Sequence, residues 1–80
     1  MTIKVVFFAS IREALECAEV DVELPQDGQL ASLVEALICS NEGCWRETLT
    51  AENVKIAVNK EIVSMQTVIR DGDEIAFLPP

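Results

Sequence analysis

Histidine is absent from the 80-residue chain, and cysteine occurs only three times. Without histidine, the sequence lacks a usual ligand of zinc sites and the usual side chain of acid–base and nucleophilic catalysis. An odd number of cysteines cannot complete a disulfide framework. The spacing of Cys39 and Cys44 is similar to the start of a plant-type iron–sulfur loop, but Glu47 stands where the next cysteine is needed. We therefore expect no metal site, and we interpret Cys17, Cys39 and Cys44 as buried or incidental thiols.

Basic residues are also scarce. Six Lys and Arg stand against 14 Asp and Glu, which gives a formal net charge of −8 at pH 7. Phosphate backbones and anionic lipid surfaces repel such a chain, so we expect neither nucleic acid nor a membrane as a partner. The charge would attract a basic partner protein, or it serves only to keep a small domain soluble. The composition leaves both interpretations open.

Long apolar runs are missing as well. No segment approaches the roughly 20 residues needed to span a bilayer, and the first residues lack the layout of a signal peptide, so we expect a cytoplasmic protein. Half of the residues are hydrophobic, which favours a folded chain over a disordered one. A chain of this length can bury about 60% of its unfolded surface, so we predict that residues 1–80 form one domain.

The first half of the chain predicts two strands and two helices. Residues 2–9 are a β-branched and aromatic run of strand length. Ser10 and Glu13 have the spacing of a capping box, which predicts a short helix through about Cys17. Residues 19–24 alternate apolar and acidic side chains, as in a strand with one solvated face. The main helix is predicted over about residues 30–41, with Gly43 as its stop. Its apolar stripe repeats at helical spacing and consists of Leu30, Leu33, Val34, Leu37 and Ile38.

The second half predicts further strands. Residues 44–53 are irregular, with room for one helical turn. Residues 54–65 are predicted to form a hairpin that pivots on Asn59 and Lys60, because Asn tolerates the left-handed backbone that a tight turn requires. The Asp71–Gly72 turn leads into the last strand. This order of elements predicts an α+β fold, with a mixed sheet and one long helix across it.

Several apolar residues fall on the wrong face of this sheet. A sheet with its main helix on one side should be polar on the other. Alternation places Phe8 and Leu78 opposite the core-facing residues of their strands, and Ile62 belongs to that face if the hairpin pairs as predicted. Either the irregular segment 44–53 covers these side chains, or a partner does. The pattern does not choose between the two.

Three stretches of the sequence resemble the small subunit of molybdopterin synthase, a member of the MoaD/ThiS-type sulfur carriers. They are IKVVFFASIREAL at the start, IAVNKEIV in the middle and DGDEIAFLPP at the end. The match covers nearly the whole chain, and the last stretch is the most specific. The resemblance implies a ubiquitin-like β-grasp with a mixed sheet of about five strands. One main helix would cross the sheet, and a short helix would follow the first strand.

The resemblance also implies a function. In this family an E1-like enzyme uses ATP to adenylate the C-terminal glycine, which is then converted to a thiocarboxylate. The tail enters the large subunit of the synthase and donates sulfur to a pterin precursor. This chain would then be a non-catalytic sulfur donor without an active site or bound cofactor of its own. Its partners would be the large subunit and the E1-like adenylating enzyme.

The matching family positions place the partner-binding residues at Phe8, Ile62, Leu78, Pro79 and Pro80. Two alternatives stay open at this point. The chain could be a sulfur carrier of the thiamine pathway, or a ubiquitin-like module that binds a protein partner without any chemistry.

The sequence departs from the family at its end. Family members finish in Gly-Gly a few residues beyond the double proline, whereas this sequence finishes at Pro80. Glycine suits such a tail because a backbone without side chains can pass through a narrow channel. The sequence is then either a truncated form of a carrier or a homologue that no longer carries sulfur. The family pattern persists up to Pro80, which favours truncation.

Overall fold

The computed structural model of the protein describes residues 2–41, 43 and 45–79. Within these residues the chain forms five strands and three helices. Their order is β1 (Thr2–Phe7), α1 (Ala9–Leu15), β2 (Glu19–Glu23), α2 (Leu30–Ser40), α3 (Trp45–Leu49), β3 (Lys55–Val58), β4 (Glu61–Val63) and β5 (Glu74–Leu78). The predicted helical turn within residues 44–53 is therefore present, as α3.

The strands form one mixed sheet in the order β2-β1-β5-β3-β4. The first and last strands, β1 and β5, lie side by side and parallel at its centre. The other neighbouring pairs, β1 with β2, β5 with β3, and β3 with β4, are antiparallel. The mixed five-stranded sheet with one main helix and a short helix after β1 confirms the predicted fold class.

The core lies on one face of the sheet. Ile3, Val5 and Phe7 of β1 are fully buried there, together with Ile75 and Phe77 of β5. They share this face because successive side chains of a strand point to opposite sides. The apolar stripe of α2 packs against them, as its spacing predicts, and all of its residues are buried: Leu30, Leu33, Val34, Leu37 and Ile38.

The predicted capping box at the start of α1 is wrong. The helix begins at Ala9, and Phe8 is its N-cap without a side-chain hydrogen bond. The Phe8 carbonyl accepts hydrogen bonds from the backbone N–H groups of Ile11 and Arg12, at 3.1 and 3.3 Å. Ser10 therefore lies inside the first turn, where its hydroxyl cannot act as the cap. The helix ends at Leu15, two residues before the predicted Cys17, because Glu16 adopts the left-handed conformation with φ 53°.

The main helix also ends differently from the prediction. Helix α2 ends at Ser40, and the next residue, Asn41, is extended. The Asn41 side-chain amide donates to the Leu37 carbonyl at 2.8 Å. This bond satisfies one of the carbonyls that a helix end leaves without a partner, so the stop is at Asn41 rather than at Gly43.

The hairpin between β3 and β4 turns at the predicted residues. Asn59 and Lys60 have φ values of 51° and 71°, the left-handed region that a two-residue turn requires. The Asn59 side chain donates to the Asp73 carboxylate at 3.0 Å and accepts the backbone N–H of Glu74 at 3.1 Å. Asn59 therefore fixes both the turn and its position beside the start of β5.

Candidate functional site

The face of the sheet opposite α2 carries a row of apolar side chains. The strand register places Val6 beside Ala76, Ala76 beside Ala57, and Ala57 beside Ile62. One step along β5, Leu78 occupies the same face. Phe8 continues β1 beside Leu78, with its backbone N–H donating to the Phe77 carbonyl at 3.3 Å. We call this surface the open face, and it consists of Val6, Phe8, Ala57, Ile62, Ala76 and Leu78.

The open face joins three of the predicted partner-binding residues. Phe8 is 44% exposed and Ile62 is 59% exposed, whereas Leu78 is half-buried. Phe8 and Leu78 lie on neighbouring strands, and Ile62 lies two strand spacings from Ala76, roughly 10 Å. Phe8, Leu78 and Ile62 therefore bound one apolar surface whose middle is formed by the small Ala57 and Ala76.

Ala57 is the residue of this surface that the sequence did not indicate. It is only 4% exposed, although it lies on the face without the helix. In the sequence it looks like a minor position between the core residues Ile56 and Val58. Its significance follows from the register alone, which sets it between Ala76 and Ile62. The centre of the open face is thus shallow and closely packed.

Residues 45–53, the described part of the irregular segment, do not cover the open face. Helix α3 packs on the core side, where Leu49 is buried. Trp45 meets Phe7 edge to face, with ring centroids 5.4 Å apart and planes at 89°. Since Phe7 belongs to the core side of β1, α3 lies across the sheet from Phe8. Among the described residues, no helix or strand packs over the open face, so residues 45–53 are not what covers its apolar side chains.

The last strand holds the C-terminal end of the chain in the middle of the sheet. β5 has β1 on one side and β3 on the other. Phe77 is fully buried, and its ring lies 5.6 Å from that of Phe7. β5 therefore ends in the middle of the sheet, and its last residue, Leu78, borders the open face.

Pro79 lies apart from the other predicted partner-binding residues. It lines a groove of about 250 Å³ together with residues of α1 and α3, among them Ser10, Ala14 and Thr48. This places Pro79 on the helix side of the sheet, as the alternation after Phe77 and Leu78 requires. Pro80, the fifth predicted residue, lies outside the described residues.

The charges beside the open face are mixed rather than uniformly acidic. Lys55 stands next to Leu78 in the strand register, and Lys4 stands next to Glu74. The Lys4 ammonium lies 3.3 Å from the Glu19 carboxylate, and both side chains are at least half exposed. An exposed pair of this kind contributes little to stability. A partner of this face would thus meet charges of both signs around an apolar centre.

The two thiols that the structure describes, Cys17 and Cys39, lie away from the open face. Cys17 is half-buried and donates to the Glu19 carbonyl at 3.4 Å, whereas Cys39 is exposed on α2. Cys44 lies outside the described residues, so the Cys39–Cys44 spacing stays a feature of the sequence alone. Across the part of the chain that the structure describes, no group of three His, Cys, Asp or Glu could hold a metal ion. The same residues include no helix that could span a membrane.

Comparison with known proteins relates this geometry to a family. A sequence model described as the ThiS family matches residues 5–80. The molybdopterin synthase sulfur carrier subunit of Escherichia coli strain K12 is 36% identical over 83 residues, an alignment that covers 98% of this chain and 94% of that protein.

Two solved structures share the fold. SAMP1 from Haloferax volcanii has a TM-score of 0.80 at 19% identity, over 100% of this chain and 96% of that one, which supports the ubiquitin-like β-grasp and nothing more. A protein–protein complex of subunits 1 and 2 of the molybdopterin-converting factor from Helicobacter pylori gives a TM-score of 0.69 at 26% identity. That match covers 100% of this chain and 95% of the matched chain.

Proposed function

The chain belongs to the ThiS family, and from this premise we propose that it is the sulfur-carrier subunit of a cytoplasmic molybdopterin synthase. The observation that carries the proposal is the continuity between the uncovered open face and β5. A single surface can dock a partner while the central strand directs the chain end toward it. The relative from Escherichia coli bears the name of this subunit, and the neighbour from Helicobacter pylori is a complex of subunits 1 and 2.

The large subunit of the synthase is the proposed partner of the open face. Phe8 and Ile62 are the exposed apolar anchors, and large side chains of this kind contribute most to binding when they enter a partner's pocket. Ala57 and Ala76 leave a shallow centre that a protruding apolar side chain of the partner can enter. The flanking Lys4 and Lys55 would fix the orientation of the partner more than its affinity.

The second proposed partner is an E1-like adenylating enzyme. The C-terminal carboxylate of the carrier would attack the α-phosphorus of ATP and release pyrophosphate, which gives an acyl adenylate. Sulfide would then displace AMP and leave a thiocarboxylate. Activation is needed because a free carboxylate is a poor electrophile. The chain itself would supply no catalytic side chain, and its contribution would be to present its C-terminus at a fixed position.

The test is the formation of a thiocarboxylate on a chain that carries the family's ending. The chain extended by Val-Thr-Gly-Gly after Pro80 is incubated with the adenylating enzyme, ATP and a sulfur source, and analysed by mass spectrometry. We expect one oxygen at the C-terminus to be replaced by sulfur. The control extension, Val-Thr-Ala-Ala, has the same length but lacks the terminal glycines and should react poorly. If the Gly-Gly form gains no sulfur, the carrier proposal is wrong and the binding-module alternative takes its place.

A further inference from the structure

A second surface lies at the opposite side of the molecule from the hairpin β3–β4. Strand β2 is the edge of the sheet, and a groove of about 380 Å³ separates it from α2. Val20 and Val22 of β2 form one wall of this β2–α2 groove, and Ala36 and Leu37 of α2 form the other. The two valines remain only half-buried. The groove exists because α2 presents the small side chains of Ala36 and Ser40 toward this edge.

The outer edge of β2 has backbone groups directed away from the sheet. The backbone N–H of Phe7 donates to the Ala18 carbonyl at 2.9 Å, so the hydrogen-bonded pairs of β1 and β2 alternate from that point. In the observed register, Val20 and Val22 bond to β1, whereas the backbone groups of Glu19, Asp21 and Glu23 point outward. The Glu19 carbonyl accepts the Cys17 thiol. No strand pairs with this edge among the described residues.

The exposed side chains of β2 would present only negative charge to an incoming strand. Glu19, Asp21 and Glu23 all project on the open-face side, and Lys4 is the cation beside them. If the β2 strands of two copies paired in antiparallel fashion, these carboxylates would stand opposite one another, which is destabilising. The acidic edge thus disfavours self-association through β2. Protection of an edge strand accounts for the carboxylates, but not for the apolar groove behind them.

We propose that β2 and the β2–α2 groove bind an extended segment of a basic partner by strand addition. The segment would pair with the outward backbone groups of Glu19, Asp21 and Glu23. Its side chains alternate between two sides, so every second one would enter the groove against Val20, Val22 and Leu37. The intervening side chains would be Lys or Arg beside the three carboxylates. This surface lies beyond the proposed sulfur-carrier function and does not involve the C-terminus.

The length of the strand sets the length of the ligand. β2 has five residues, about 17 Å at about 3.4 Å per residue. A peptide of seven residues spans it with one residue to spare at each end. The probe is the peptide Val-Lys-Val-Arg-Val-Lys-Val with an acetylated N-terminus and an amidated C-terminus. One control peptide has the same composition with the basic residues in one block, and another replaces every Lys and Arg by Glu.

The experiment is a titration of the 80-residue protein with each peptide, followed by backbone amide chemical shifts. We expect the alternating basic peptide to shift amides of β2 and of residues 36–41. It should bind about tenfold more tightly than the peptide whose basic residues form one block. The acidic peptide should not bind. Absence of any shift up to about 1 mM peptide overturns the proposal, as do shifts confined to the open face. Shifts in β2 that depend on protein concentration without peptide would identify a second copy as the occupant and equally overturn it.

Two double variants separate the contribution of the β2 edge to binding from the effect of net charge. Asp21→Lys with Glu23→Lys should weaken binding of the basic peptide about tenfold or more. Glu52→Lys with Glu61→Lys changes the net charge by the same amount but leaves the β2 edge intact, since Glu61 lies on β4 at the other edge of the sheet, and it should retain most of the affinity. Equal losses in both variants would mean that the attraction is non-specific, and the proposal fails. Ala36→Phe, which fills the groove from an exposed helix position, should block binding without altering the charge.

Discussion

Phe7 and Phe8 are neighbours in the chain but lie on opposite faces of the sheet. Phe7 is 1% exposed and packs against both Phe77 and Trp45, whereas Phe8 is 44% exposed on the open face. The extended backbone at Phe8 separates the two rings, because it continues the alternation of β1 up to the first turn of α1. One ring therefore contributes to stability, and the adjacent one is available to a partner.

The two phenylalanines should respond differently to the same truncation. Phe8→Ala should weaken binding to the large synthase subunit by about 1–3 kcal/mol, because it removes an interface anchor, and should leave the free energy of unfolding nearly unchanged. Phe7→Ala should cost about 3–5 kcal/mol of stability, because it opens a cavity in the core. Calorimetric titration and urea unfolding measure the two effects. Unchanged affinity in the Phe8 variant would remove that residue from the interface.

The hairpin turn provides a test of how β5 is held in place. Asn59→Ala removes two side-chain hydrogen bonds and places a less tolerant residue at φ 51°, so we expect a loss of roughly 1–3 kcal/mol. Asn59→Gly loses the same hydrogen bonds but accepts the left-handed backbone, so its loss should be smaller. Urea unfolding of both variants separates the two contributions. If glycine costs as much as alanine, backbone strain plays no part at this turn.

The loop before α2 should make stability depend on pH at the acidic end. The Ser32 hydroxyl, at 2.6 Å, and the backbone N–H of Gln29, at 3.1 Å, donate to the Asp27 carboxylate and lower its pKa below the ordinary value of 3.8. A lowered pKa means that the folded protein favours the ionised form. The stabilisation is present above the unfolded pKa and is lost as the pH falls through the folded pKa.

The variant Asp27→Asn isolates this effect, because it keeps the shape of the side chain and removes its charge. The stability difference between the natural chain and the variant should be largest near neutral pH and should shrink below about pH 4. Glu52→Gln, at an exposed turn position, is the control and should show no such trend. Urea unfolding at a series of pH values measures the stability difference between each variant and the natural chain. A difference that stays constant across the series would contradict the assignment of the pH dependence to Asp27.

A chain that ends at Pro80 should still dock to its partner but should not be activated. At about 3.3 Å per extended residue, four further residues place a carboxylate roughly 13 Å farther along the tail. Reacting atoms must come within about 3–3.5 Å of each other, so the 80-residue chain should not be adenylated, although the open face still docks. Calorimetry and pyrophosphate release measure the two properties on the 80-residue and extended chains. Equal pyrophosphate release from both would show that the position of the C-terminus does not limit activation.

Local sequence patterns predicted much of the fold and part of the candidate site. The stripe from Leu30 to Ile38 specified α2, and alternation in β1 placed Phe8 opposite Phe7. Asn59 and Lys60 marked the hairpin, because few residues tolerate the backbone that its turn needs. These features depend on residues close together in the chain, which is why periodicity and turn chemistry suffice to predict them. The capping-box prediction failed because it relied on the local spacing of Ser10 and Glu13. The pairing of Phe8 with the last strand instead makes Phe8 the N-cap, two residues before Ser10.

Tertiary structure decided which of these residues act together. Ile62 joins Phe8 and Leu78 only through its pairing with Ala57, a contact set by the register of four strands. The sequence did not indicate on which side of the sheet residues 45–53 lie. The packing of Trp45 on Phe7 places them on the core side. The same holds for Pro79, which faces α1 and α3, and for the β2–α2 groove, which needs an edge strand beside small helix residues. Such relationships join residues distant in the chain, and their energy comes from burial and strand pairing, which no local pattern encodes.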